Sequence, residues 1–378
     1  MIKRTFDFAV IGAGCFGTWT ARALLDAGHS VTLIDAFGAA HTRASSGGES
    51  RVIRMGYGAD ALYTRWSMRS LAKWKAFDAR CEQRIFHPVG MLWLTGSKDQ
   101  YVSDTQRTLA EVGVAHERLS NNELAKRFPQ ISPDELSWAL WEPDSGALMA
   151  RRAIQALVAE SMRGGLDYRV ANVTMQNGVV RANGEIVSAS KTIFACGPWL
   201  PKLFPEFLGQ RIFPTRQEIF FFAPPAGDTS FGPSAMPTWI HHPDLVYGLP
   251  DLENRGVKVS VDKHGSAFDP DTGSRVPSEE GLAIARAYVA KRFPTLRNAT
   301  LTESRVCQYE NTSNGDFIID RHPERDDIFI VGGGSGHGFK HGPAIGDYVR
   351  DLLTRSDFVA EPRFSIAAKA TMQARSVY

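Results

Sequence analysis

Three glycines and one acid near the start of the chain have the types and spacing to hold a dinucleotide. Residues 7–35, DFAVIGAGCFGTWTARALLDAGHSVTLID, read as an apolar strand, Gly12-x-Gly14-x-x-Gly17, a helix, a second strand and then Asp35. Gly12 allows the tight turn, Gly14 lets the backbone approach a pyrophosphate, and Gly17 lets helix and strand pack closely. The helix start offers free N–H groups and a partial positive charge to phosphates. Asp35 stands where a carboxylate accepts hydrogen bonds from an adenosine ribose, which argues against a 2′-phosphate. FAD and NAD both remain open on this motif alone. The polar stretch 39–58, AAHTRASSGGESRVIRMGYG, reads as a Ser/Gly-rich loop and favours FAD, whose long body needs an extended channel. Ser45 and Ser46 in that loop are expected beside the cofactor; for Arg51 and Arg54 the lesser alternative, by position alone, is that they are surface charges.

The far end repeats the logic. Residues 327–353, DIFIVGGGSGHGFKHGPAIGDYVRDLL, read as an apolar strand, a glycine-rich turn and a helix with Ile345, Val349 and Leu352 on one face. Gly336 and Gly338 would let backbone approach a flat ligand, and the helix start would favour negative charge on it. A second nucleotide site there is disfavoured, because no strand with a terminal acid follows. Between the ends, SASKTIFACGPWL (188–200) reads as a buried strand closing on Gly197, with Trp199 on the following turn. Residues 151–165 read as an amphipathic helix, and 168–187 as short strands with an Asn-Gly turn at 177–178.

These elements need a large scaffold, and 378 residues suffice for two interleaved domains. The 43 basic and 41 acidic residues form no like-charged block, so neither a nucleic-acid nor a membrane surface is expected. Cys15, Cys81, Cys196 and Cys307 are scattered, without metal-ligand spacing. No disulfide framework and no metal site are expected, and a reducing, cytoplasmic setting fits best. Segments 85–141 and 214–302 are rich in aromatics and strand-like alternation, with one helix at roughly 278–292 before Pro294. DPDTG (269–273) reads as a plain turn. The expected fold is α/β plus α+β: a discontinuous Rossmann-like FAD-binding domain (1–84, 142–213, 303–378) with an inserted mixed-sheet substrate domain (85–141, 214–302).

Together with the first glycine motif, SRVIR (50–54), VYGLP (246–250), GVKV (256–259), VCQY (306–309), FIIDRHP (317–323) and GSGHGFK (334–340) resemble the monomeric sarcosine oxidase family. That family includes N-methyltryptophan oxidase and lies within the D-amino-acid oxidase-like flavoenzymes. The resemblance implies FAD held through a thioether from Cys307 to the flavin 8-methyl group, a step needing a thiolate and nearby positive charge. It implies that Lys258 lies beside flavin N5 and promotes reaction with oxygen, and that Arg51 lies near the flavin face. Arg54 and Lys340 match the pair binding the substrate carboxylate, with Lys340 also beside the cofactor, and Tyr247 and Tyr309 match pocket walls. Asp262 stands where sarcosine oxidase has a histidine. It is expected either to face a cationic or hydroxylated part of a larger substrate, or to turn outward and pair with a neighbour such as Lys263. The implied activity is oxidation of a secondary amino acid, N-methyl or cyclic, to an imine, with O2 reduced to H2O2 by a monomer. A biosynthetic cyclic amine or imine oxidase, a primary amino-acid oxidase and a dehydrogenase using a protein or quinone acceptor are the alternatives.

Overall fold

The computed structural model describes residues 5–176 and 179–372; the expected Asn-Gly turn at 177–178 lies outside them. Two large sheets organise the chain. The first has six strands in the order Ile318–His322, Arg325–Gly332, Ala189–Phe194, Phe6–Ile11, Val31–Asp35 and Asp167–Val170. All its pairings are parallel except that of Ile318–His322 with Arg325–Gly332. Ile11 lies opposite both Ile34 and Phe194. That register brings three strand ends level where Gly12, Asp35 and the 195–197 turn leave the sheet, forming the crevice in which parallel sheets bind ligands.

The helix Cys15–Asp26 follows the glycine turn and packs against the later helix Gly342–Thr354, the two contributing Trp19, Leu24, Ile345 and Val349 to one core. The face of the later helix continues through buried Leu353; Leu352 is only partly buried. The spacing 345, 349, 353 follows the i, i+4 row, so the expected Leu352 lies just off the stripe. The stretch 39–58 is more regular than a loop. It contains a 3₁₀ turn at Ser45–Gly47 and the strand Ser50–Ile53, paired antiparallel with Gly146–Met149.

The second sheet has eight strands in the order Leu301–Thr312, Ile212–Phe222, Val257–Val261, Val246–Leu249, Thr238–His241, Met91–Thr95, Trp138–Glu142 and Glu117–Ser120. The expected boundaries at 213/214 and 302/303 fall inside the first two of these strands. One face is apolar, with Phe220, Phe222, Val257 and Val259 in a core shared with Ala285, Tyr288 and Val289 of the helix Glu279–Arg292. That helix starts where Ser278 accepts the Gly281 N–H and ends before Pro294, as expected. Register fixes what the opposite face carries. Cys307 lies opposite Gln217, Tyr309 opposite Thr215, and Ser260 opposite both Ile219 and Tyr247. Because side chains alternate, Cys307, Tyr309, Gln217, Lys258, Tyr247 and, just past its strand, Asp262 point to one side.

Candidate active site

A channel of about 450 Å³ runs between the two sheets. One end is lined by Asp35, Phe37 and His41, the middle by Gly12, Gly14, Ser45, Ser46, Gly197 and Trp199, and the other end by Arg51, Cys307, Tyr309, Gly336 and Gly338. Gly12 has φ +105°, and a Cβ there would lie 2.4 Å from the Ala195 carbonyl oxygen, so only glycine fits the turn. Gly17 is not a lining residue; a Cβ on it would come within 1.9 Å of the Gly12 carbonyl oxygen, which is the close packing that the spacing required. Asp35 also braces the turn, accepting the Ala13 N–H at 2.7 Å and those of Phe37 and Gly38 at 2.8 and 2.9 Å. Ser46 accepts the Cys15 N–H at the start of the first helix. Trp199 donates to Asp271 at 2.8 Å; in DPDTG, a simple turn, Asp269 and Asp271 both pair with Lys202.

The fit to FAD rests on this shape and on buried polar atoms. Ser45 Oγ and Glu310 Oε2 both belong to channel-lining residues and have no hydrogen-bond partner among the described residues. Orphaned buried donors and acceptors carry a desolvation cost that a polar ligand relieves. If FAD is bound, Gly12, Gly14, Ser45 and Ser46 would hold its diphosphate region, Asp35 its ribose, and Arg51, Cys307, Gly336 and Gly338 its ring end.

A second cavity of about 70 Å³ adjoins the ring end, lined by Arg51, Arg54, Gln217, Tyr247, Asp262, Cys307, Tyr309, His337 and Lys340 among others. Arg51 and Arg54 are not surface charges. Arg51 donates to the Ser45 and Ser50 carbonyls at 2.5 and 2.7 Å and places Nη2 3.6 Å from Cys307 Sγ. Arg54 is buried, donates to the Gly56 carbonyl, and stacks over Tyr57 and Trp93 with its guanidinium 4.6 and 4.7 Å from their ring centres. Lys340 Nζ donates to Tyr57 Oη at 2.7 Å and to the His337 carbonyl at 3.0 Å. Tyr57 is thus the common floor for Arg54 and Lys340, and it also hydrogen-bonds with His337 and His341 at 3.1 and 2.8 Å.

Asp262 faces inward. It is buried and accepts the Tyr309 hydroxyl at 2.7 Å, which overturns the outward pairing with Lys263. Burial, followed by the Asp262 charge, holds the Tyr309 phenol well above its usual range and also raises Tyr247. Lys258 lines neither cavity. It lies under Arg51, fully enclosed, with Nζ donating to the Ser50 carbonyl at 2.8 Å. Burial and then the Arg51 charge pull its ammonium down to about 7.

The structure therefore gathers Arg51, Cys307 and Tyr309 at the junction of the two cavities, with Arg54, Lys340, Tyr247 and Asp262 on the inner side and Lys258 beneath. Sequence reading missed Tyr57, Gln217 and Glu310. The alternation in RQEIFFF would have placed Gln217 with Ile219 on the polar face, but nothing local marks the other two.

A family profile described as FAD dependent oxidoreductase matches residues 7–352. Among curated proteins, the monomeric sarcosine oxidase of Bacillus sp. (strain B-0618) is 31% identical over 363 residues, covering 92% of each chain. The N-methyl-L-tryptophan oxidase of Salmonella arizonae is 28% identical, covering 92% of this chain and 94% of that protein. Among solved structures, L-proline dehydrogenase from P. horikoshii superposes with a TM-score of 0.83 over 97% of this chain and 98% of that one, at 22% identity. Together with the channel and its glycine turn, these likenesses show that the chain belongs to the D-amino-acid oxidase-like family of FAD-dependent oxidoreductases and is an enzyme of the sarcosine oxidase type, acting on CH–NH bonds.

Proposed function

We propose that the protein is an amine oxidase of a small secondary amino acid, N-methyl or cyclic, with O2 as the electron acceptor and FAD linked to Cys307. The carrying observation is the joint placement of Arg54 and Lys340 on Tyr57, beside the ring end of the channel. A guanidinium fork and an ammonium point charge, both desolvated, suit one carboxylate. Bound in the channel, FAD would supply the two-electron acceptor for the C–H bond beside the substrate nitrogen, returning the electrons to O2 as H2O2. In this reading the chain's own residues orient the substrate, exclude water and set its charge, while water then hydrolyses the released imine. The channel layer of the first sheet would form a cofactor domain, and the polar face of the eight-stranded sheet a substrate domain covering it. The sarcosine and N-methyltryptophan oxidases among the relatives support the N-methyl reading. We extend the proposal to a monomer in the cytoplasm, a compartment that suits four free thiols.

Mixing the purified protein with a panel of N-methyl, cyclic and primary amino acids tests the reading. Anaerobic bleaching of the yellow colour and aerobic peroxide release are expected with secondary amino acids. Bleaching without rapid peroxide release would identify a dehydrogenase instead. Arg54→Met is expected to raise KM by about 10–150-fold, since a hydrogen bond to a charged group contributes about 1.5–3 kcal/mol. Steady-state kinetics with an unchanged melting temperature would separate lost recognition from lost packing.

Asp262 sets a further expectation. Hydride loss needs the neutral amine, and a carboxylate facing the amine raises its pKa. Asp262→Asn is therefore expected to shift the apparent amine pKa to lower pH in the profile of flavin reduction. An unmoved pKa would place Asp262 away from the reacting nitrogen.

A further inference from the structure

Glu310 follows Tyr309 on the strand Leu301–Thr312, but its side chain points to the other side and lines the channel rather than the inner cavity. The residue is 9% exposed. Its Oε1 accepts the Gly334 N–H at 3.2 Å, while Oε2 has no partner among the described residues. The walls around it are glycines: a Cβ at Gly197 or Gly332 would stand 3.6 or 3.5 Å from Oε2, and one at Gly334 would stand 3.1 Å from Oε1. Among the described residues no cation balances the group. The Cys196 thiol, in the turn after Ala189–Phe194, feels the negative charges of Asp35 and Glu310. Cys307 and Tyr309 precede Glu310 on its own strand and point to the opposite side, and Lys258 lies on the far side of Arg51. Burial pushes the carboxyl up to about 7 against the opposing pull of the Gly334 and Gly333 N–H groups.

An ionised carboxylate enclosed without a cation is disfavoured, so below about pH 7 the group faces the channel as an acid, with its free oxygen the place for the proton. That proton is a donor with nothing among the described residues to receive it. The ligand expected in the channel carries hydroxyl and carbonyl oxygens along its length, and its diphosphate would repel a charged carboxylate but not a neutral one.

We propose that Glu310 is a cofactor-positioning residue whose carboxyl group donates a hydrogen bond from Oε2 to the polar body of FAD. The inference rests on the FAD reading above, and it predicts that cofactor affinity falls once Glu310 ionises.

The test uses the full chain with Cys307→Ala, so that binding stays reversible, freed of flavin and titrated with FAD from pH 6 to pH 9 by quenching of flavin fluorescence. The Kd for FAD is expected to weaken about tenfold for each pH unit above about 7. In Cys307→Ala with Glu310→Gln, whose amide donates at every pH, Kd is expected to stay flat. Equal slopes in both proteins would overturn the proposal and point to another group, with Lys258 as the first suspect. Cys307→Ala with Lys258→Met provides an independent check should the glutamine variant misfold: it must keep the slope if Glu310 causes it. FAD bound at all pH values without a slope overturns the role of Glu310 alone, whereas no FAD binding at any pH overturns the cofactor reading with it.

Discussion

Replacing Cys307 with alanine is expected to move the yellow colour of acid-precipitated protein from the pellet to the supernatant. The wild-type thiol has the surroundings that thioether formation needs. Arg51 Nη2 lies 3.6 Å from Sγ, and Cys307 lines the ring end of the channel rather than a closed core. A guanidinium at that distance would favour electron density on the ring that is attacked. The other cysteines lack this arrangement. Cys15 and Cys196 also line the channel, but burial raises both thiols, and the charges acting on Cys196 are the negative ones of Asp35 and Glu310. The effect is all or none: colour in the wild-type pellet and none in the variant pellet. Colour in the supernatant for both proteins would leave FAD in place and remove the linkage. Arg51→Met should reproduce much of the loss with Cys307 intact, by removing the positive charge beside the ring end.

Replacing Lys258 with methionine is expected to slow reoxidation by O2 markedly, because it removes the buried ammonium that lies under Arg51 at the ring end. Flavin reduction by the amine should change far less, because Lys258 does not line the inner cavity. The burial that fixes Nζ against the Ser50 carbonyl also brings its ammonium down to about 7. The charged form is the useful one, and it is present below that value. The wild-type reoxidation rate should therefore fall by about tenfold per unit as pH rises above 7, and the dependence should vanish in Lys258→Met. Stopped-flow mixing of reduced enzyme with oxygen reads both. The same depression has a consequence for the fold: between pH 7 and the ordinary lysine range the unfolded chain holds a proton that the folded chain does not. Stability is thus expected to rise with pH across that window through this group.

The parts of the site legible in the sequence are those set by local geometry. Gly12, Gly14, Gly17 and Asp35 could be placed because turn, helix and strand follow within one short unit, and each glycine has a steric reason to be there. The inner-cavity residues were named through resemblance, and register then explained their convergence on one face of the eight-stranded sheet. What stayed hidden depends on partners distant in the chain. Tyr57 looks like any loop tyrosine until Lys340, His337 and His341 arrive from the far end. Glu310 looks like a surface acid on a strand until the Gly334 turn encloses it. The expected boundary at 302/303 falls inside Leu301–Thr312, whose pairing belongs to the eight-stranded sheet while Cys307, Gln308, Tyr309 and Glu310 line the channel.

That strand and the Gly12 turn come from opposite ends of the chain, yet both line the same channel. A flavin anchored at Cys307 would present its adenine end to the Gly12–Asp35 crevice as an intramolecular ligand, at an effective concentration set by its own short reach. Stability gained from the cofactor would then cease to depend on free FAD, which for a reversible ligand enters as RT ln(1 + [L]/Kd). Anchoring would turn maturation into a one-way step: the finished enzyme would keep its cofactor on dilution, while the unlinked protein would lose that stabilisation as free flavin falls.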